Sequence, residues 1–92
     1  MEIKVPNVPA AALPILYQQL EGFGSTILLE DNSKGVCEHM SGTMRFEHVG
    51  DVLTVRVIKD NGHFPRLLIL GGIRQTTLEA VELANKGVRH AA

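Results

Sequence analysis

The segment from Asp51 to Leu70 constrains the fold most, because it reads as two apolar runs separated by Asn61-Gly62. Asn-Gly between alternating hydrophobic residues is a strong hairpin signal, since both residues accept the positive φ of a type I′ turn. Val52 to Lys59 is then one strand and His63 to Leu70 the next. A two-residue turn pairs Leu53 with Leu70, Val55 with Leu68 and Val57 with Arg66. Side chains alternate between faces, so Thr54, Arg56 and Ile58 lie opposite Ile69, Leu67 and Pro65 on the other side. A two-residue turn at Gly50-Asp51 adds the pairs Phe46–Val55 and Met44–Val57. One face thereby collects Met44, Phe46, Leu53, Val55, Val57, Leu68 and Leu70, and is expected to be the core.

The flanking segments supply the remaining elements. Glu2 to Val5 reads as a short edge strand, because Ile3 and Val5 alternate with charges before Pro6 halts pairing. Asn7 is read as the cap of a helical turn begun at Val8-Pro9. Leu13, Leu16, Tyr17 and Leu20 form the i, i+3, i+4, i+7 stripe of a helix packed on one face. If that helix starts near Ala11, Pro14 sits in its first turn, where a missing N–H matters little. Gly22 and Gly24 end it. Thr26 to Glu30, Val36 to Met40 and Thr43 to His48 read as strands, with a turn at Asp31 to Gly35 and a bend or bulge at Ser41-Gly42.

After Gly71-Gly72 a C-terminal helix is expected, opened by a Thr76/Glu79 capping box and carrying Leu78, Val81, Ala84 and Val88 as its apolar stripe. The fold class is therefore α+β: an antiparallel sheet of four or five strands, with an N-terminal and a C-terminal helix packed on one face. The chain of 92 residues is one domain, and such a chain buries only about 60% of the surface its unfolded form exposes.

Composition narrows function mainly by exclusion. A net charge of −1 exerts no global pull toward nucleic acid or membrane. Its distribution is uneven, with a net of −3 over residues 1–44 and +2 over 45–92, and all five arginines lie in the second part. The single cysteine, Cys37, allows no internal disulfide. The first residues lack the basic and apolar blocks of a signal peptide, and the longest apolar run, Leu67 to Leu70, is too short to span a bilayer. A cytoplasmic protein is expected.

Candidate chemistry is sparse. Cys37 and His39 share a strand face, but residues two apart on a strand stand about 6.5 Å apart. Nucleophilic catalysis needs direct contact plus an orienting group and an oxyanion site. His39, His48, His63 and His90 show no metal-ligand spacing. No cofactor is implied, and the chain is read as a non-enzyme. Gly71-Gly72 lacks a full phosphate-loop pattern. Few aromatic residues are present, which disfavours a base-stacking platform. The positive residues are the remaining candidates. On the outer sheet face Arg45 stands directly opposite Arg56, which is destabilising unless an anion separates them. That face is a contact patch for phosphate or an acidic protein surface, or a solvated face on which Glu47 neutralises one arginine. Lys34, Arg66 and Arg74 complete the candidate binding residues.

The chain resembles phage-encoded anti-CRISPR proteins that act on a type I-F CRISPR-Cas surveillance complex, through its length and stretches such as Met1 to Pro9 and Gly62 to Gly72. The resemblance implies stoichiometric inhibition in the cytoplasm of an infected bacterium. Such a protein docks on Cas subunits, sometimes touches the guide RNA, and hinders target DNA from pairing or the nuclease from being recruited. Many members are acidic DNA mimics. This near-neutral chain departs from that pattern and fits better with wedging between subunits, or with guide-RNA phosphates meeting Arg45, Arg56 or Lys34 in a salt-sensitive contact. The competing class is a small regulatory or ligand-binding module that dimerises through its sheet.

Overall fold

The computed structural model describes residues 1–62 and 64–87. Along the chain run β1 (Glu2–Val5), α1 (Ala12–Gly22), β2 (Thr26–Asp31), β3 (Lys34–His39), β4 (Gly42–Val49), β5 (Val52–Asp60) and α2 (Arg66–Asn85). The five strands form one antiparallel sheet in the order β1-β5-β4-β3-β2, so the α+β architecture expected from the sequence is the observed one. Both helices pack on one face of the sheet and against each other.

The turn at Gly50-Asp51 and the register it sets are as expected: Val49 pairs with Val52, Phe46 with Val55, Arg45 with Arg56 and Met44 with Val57. The pairing shifts between Thr43 and Met44, where Ile58 is the extra residue on β5. Gly42 lies at the same end, with φ +151° and no room for a side chain, because a Cβ there would stand 2.4 Å from the Lys59 carbonyl oxygen. The core faces of these strands carry Cys37, Met44, Phe46, Leu53, Val55 and Val57, all buried.

The segment after Asn61-Gly62 is not a strand. Gly62 has φ +76°, whereas Asn61 is not in the left-handed region, so the turn is not type I′. The Asp60 carboxylate accepts from the Gly62 N–H (3.0 Å) and from Arg66 Nε (2.8 Å), tying the turn to the following helix. Pro65 stands immediately before that helix, and its carbonyl accepts from the N–H groups of Leu68 and Ile69. Proline cannot donate to a ladder but suits this position. The pairs expected between Leu53, Val55 and Val57 and Leu70, Leu68 and Arg66 therefore do not form. The free edge of β5 is taken by β1 instead, with Glu2 opposite Arg56, Ile3 opposite Val55 and Val5 opposite Leu53.

Residues 66–85 form one helix whose buried side carries Ile69, Leu70, Ile73, Thr77 and Ala80. Leu68, expected in the core, is exposed, as is Leu78, expected on the apolar stripe. Gly71 and Gly72 lie inside the helix rather than before it. Thr76 is not a cap: its hydroxyl donates to the Gly72 carbonyl (2.9 Å), and Thr77 donates likewise to Ile73 (2.7 Å). A hydroxyl that bonds four residues back is satisfied within the helix and can face an apolar neighbour. Val81 and Ala84 pack against the core as expected, and Val88 lies outside the described residues.

Leu13, Leu16, Tyr17 and Leu20 are all buried, and Pro14 is in the first turn of α1. Asn7 does not cap the helix; it has φ +61°, and the helix begins after Ala11. At the other end the N–H of Ser25 donates to Leu20 and that of Gly24 to Glu21, with Gly24 at φ +93°, which is a Schellman stop.

Candidate functional site

Both helices lie on the other side of the sheet, so its outer face is uncovered among the described residues. Across its centre runs the row Leu28, Val36, Arg45, Arg56, Glu2, and beside it the row Lys34, Glu47, Thr54, Lys4. The two arginines stand opposite each other, as the sequence indicated, but each is engaged by a carboxylate of the chain. Glu30 accepts two hydrogen bonds from Arg45, at 2.7 and 3.1 Å, a fork-to-fork pair that lowers the Glu30 pKa and raises that of Arg45. Glu2 accepts from Arg56 at 3.0 Å, with Lys4 at 3.7 Å, and its pKa is lowered chiefly by the Arg56 bond. The repulsion between facing arginines is thus relieved from both flanks without an external anion. Lys34 lies on the same face, opposite Glu47.

The other two positive candidates are elsewhere. Arg66 opens α2, held by Asp60, and Arg74 is exposed further along that helix with no ion pair among the described residues. The structure gathers Arg45, Arg56 and Lys34 on one face and leaves Arg66 and Arg74 apart from them.

Cys37 points into the core at 2% exposure, and burial pushes its thiol pKa up despite a hydrogen bond with Ser25. His39 is a structural bridge rather than its partner. Its Nδ1 meets the Ser41 hydroxyl at 2.9 Å and accepts from the Ser41 N–H at 3.2 Å. Its Nε2 donates to the Phe23 carbonyl at 3.2 Å, which fixes the tautomer and joins the β3–β4 turn to the end of α1. His48 Nε2 similarly donates to the Val8 carbonyl (2.7 Å), pinning the loop before α1. Among the described residues no three His, Cys, Asp or Glu side chains gather into a metal site, and no helix is long and apolar enough to cross a membrane. His63 and His90 lie outside the described residues.

A surface missed by the sequence reading lies where α1 ends and α2 begins. An open groove of about 370 Å³ is walled by Leu20, Met44, Ile69 and Ile73 and rimmed by Phe23, Phe64 and Leu68. Its polar groups are few: Ser25, His39, Ser41 and Thr76. The rim is unusually exposed for apolar side chains, with Phe23 at 66%, Phe64 at 44% and Leu68 at 60%. Leu67 on the same helical turn is 70% exposed, and Met40, between the lining residues His39 and Ser41, is 76% exposed. Scattered exposed hydrophobics are ordinary, but a cluster around a concavity marks an interaction site. Part of the signal was present in the sequence: Arg66 to Leu70 holds four consecutive aliphatic residues, more than one face of a helix can bury. No family model, curated protein or solved structure matches this chain.

Proposed function

We propose that the chain is a non-enzymatic inhibitor that binds the Cas subunits of a type I-F CRISPR surveillance complex and hinders target DNA binding, with the apolar groove between α1 and α2 as its docking surface. The partner comes from the sequence resemblance. The observation that carries the binding mode is the exposed cluster of Phe23, Met40, Phe64, Leu67 and Leu68 around that groove. Binding has to overcome about 4–15 kcal/mol of lost motional freedom, so a small protein needs a few well-buried anchors. Two phenylalanines and two leucines on one rim are suited to that role, and aromatic residues are typical anchors. For Arg45 or Arg56 to contact the guide RNA, a phosphate would have to displace Glu30 or Glu2.

The test uses the intact surveillance complex immobilised on a sensor, with the wild-type chain, Phe23→Asp with Leu67→Asp, and Arg45→Glu with Arg56→Glu. The groove variant should weaken binding about 100-fold, which corresponds to about 1.4 kcal/mol for each of two anchors. Its melting temperature should stay close to wild type. The arginine variant should change affinity less, and mostly at low salt. Absence of wild-type binding would remove the inhibitor reading, and full binding by the groove variant would remove the groove from it.

A further inference from the structure

The two edges of the sheet are unlike. β1 is four residues long, bears Glu2 and Lys4 and runs into Pro6, the usual devices that keep an edge from recruiting another strand. β2 has six residues, Thr26-Ile-Leu-Leu-Glu-Asp31, lacks proline and, among the described residues, pairs only with β3, so its other side presents open main chain. Apolar side chains flank that open edge on both faces: Leu28 is 52% exposed on the outer face and Leu29 is 49% exposed on the inner. Its two carboxylates are already engaged. Glu30 is held by Arg45, and Asp31 accepts from both the N–H and the hydroxyl of Ser33 at 2.7 Å.

The strand is also self-complementary. A two-fold axis normal to the sheet at Leu28 sets Leu28 opposite its own copy, Ile27 opposite Leu29 and Thr26 opposite Glu30. No like charges face each other, and the helices of both copies stay on one side of the sheet. The irregularity between Leu29 and Asp31 falls on Glu30, in the outermost pair, and Thr26 to Leu29 keep a regular register with β3. On the inner face, a groove of about 600 Å³ runs beside α1, with apolar Leu13, Tyr17, Ile27 and Leu29 sharing its wall with polar residues such as Gln18 and Glu21. Ile27 and Leu29 of the second copy would meet its open side, joining two thin cores.

We infer that β2 is an assembly edge, pairing antiparallel about Leu28 with β2 of a second copy of this chain to continue the sheet across the dimer. The surface is distinct from the groove assigned above to a partner, and its test needs no partner. Sedimentation velocity over a concentration series should show a monomer–dimer equilibrium for the wild type and a monomer for Leu28→Lys, which sets two lysines face to face. Directly opposed antiparallel residues have Cα atoms about 4.5–5.5 Å apart, within disulfide range. Leu28→Cys should therefore oxidise to a covalent dimer much faster than Thr26→Cys, whose mate is Glu30. A wild type that stays monomeric to about 1 mM would overturn the inference. So would equal cross-linking of the two cysteine variants, or unchanged association of Leu28→Lys. If that variant fails to fold, the cysteine pair decides.

Discussion

Gly71 and Gly72 provide the sharpest check on the fold, because a strand-to-helix turn and a helix interior predict opposite responses to alanine. Both residues lie inside α2, neither has a positive φ, and a Cβ at either would meet nothing within 4 Å. Glycine in a helix interior is about 0.8–1 kcal/mol less favourable than alanine. With no steric term to offset this, Gly71→Ala with Gly72→Ala should stabilise the chain by about 1.5–2 kcal/mol. For a domain of this size that raises the melting temperature by about 6–16 °C. Urea unfolding followed by far-UV circular dichroism should show a higher midpoint with an unchanged slope. Gly35→Ala is the opposing control, since its Cβ would stand 2.3 Å from the Leu28 carbonyl oxygen and force β2 away from β3. A double variant less stable than wild type would refute the helix-interior assignment. A second readout concerns function: Gly72 lines the apolar groove, so the stabilised variant should bind a groove partner less well. Glycines that weaken a helix without serving its packing are consistent with a partner that approaches closely there.

Leu70→Ala should cost about 3–4 kcal/mol from lost transfer energy and a cavity, since Leu70 is 1% exposed, whereas Leu68→Ala, at 60% exposure, should cost under about 1; equal losses in urea melts would restore the strand reading. Acid should destabilise the fold. Glu2, Glu30, Asp31, Asp60 and Glu82 have pKa values lowered by hydrogen bonds from Arg56, Arg45, Ser33, Arg66 and Lys86, so their contribution is full above the ordinary 3.8–4.5 and is lost as pH falls below it. Urea midpoints that rise on acidification would contradict this, and Glu30→Gln should blunt the fall. Tyr17 behaves oppositely: burial pushes its pKa to about 12 from 10, so its contribution holds below pH 10 and fades above, readable as a delayed tyrosinate absorbance. Iodoacetamide should label Cys37 slowly in the native chain and quickly in urea, and rapid native labelling would show an accessible thiolate where the structure has a buried thiol.

What the sequence determined by itself was whatever depends on near neighbours. The stripe Leu13, Leu16, Tyr17 and Leu20 specifies α1, because only a helix brings residues at that spacing to one side. The Gly50-Asp51 turn fixes the β4–β5 register, and with it the facing of Arg45 by Arg56. The tertiary structure decided the rest. A run such as Leu67-Leu-Ile-Leu70 is apolar at either period, so its state depends on what lies beside β5. β1 occupies that edge, and Pro65 stands ready to open a helix. The ion pairs of the sheet were equally out of reach, because Glu30 is 15 residues from Arg45 and Glu2 is 54 from Arg56. Long-range pairing brought those charges together and turned an apparent anion site into a satisfied one. The same folding of Arg66–Asn85 into a helix turned Leu67 and Leu68 outward, so a run that the sequence shows only as apolar became the rim of a groove.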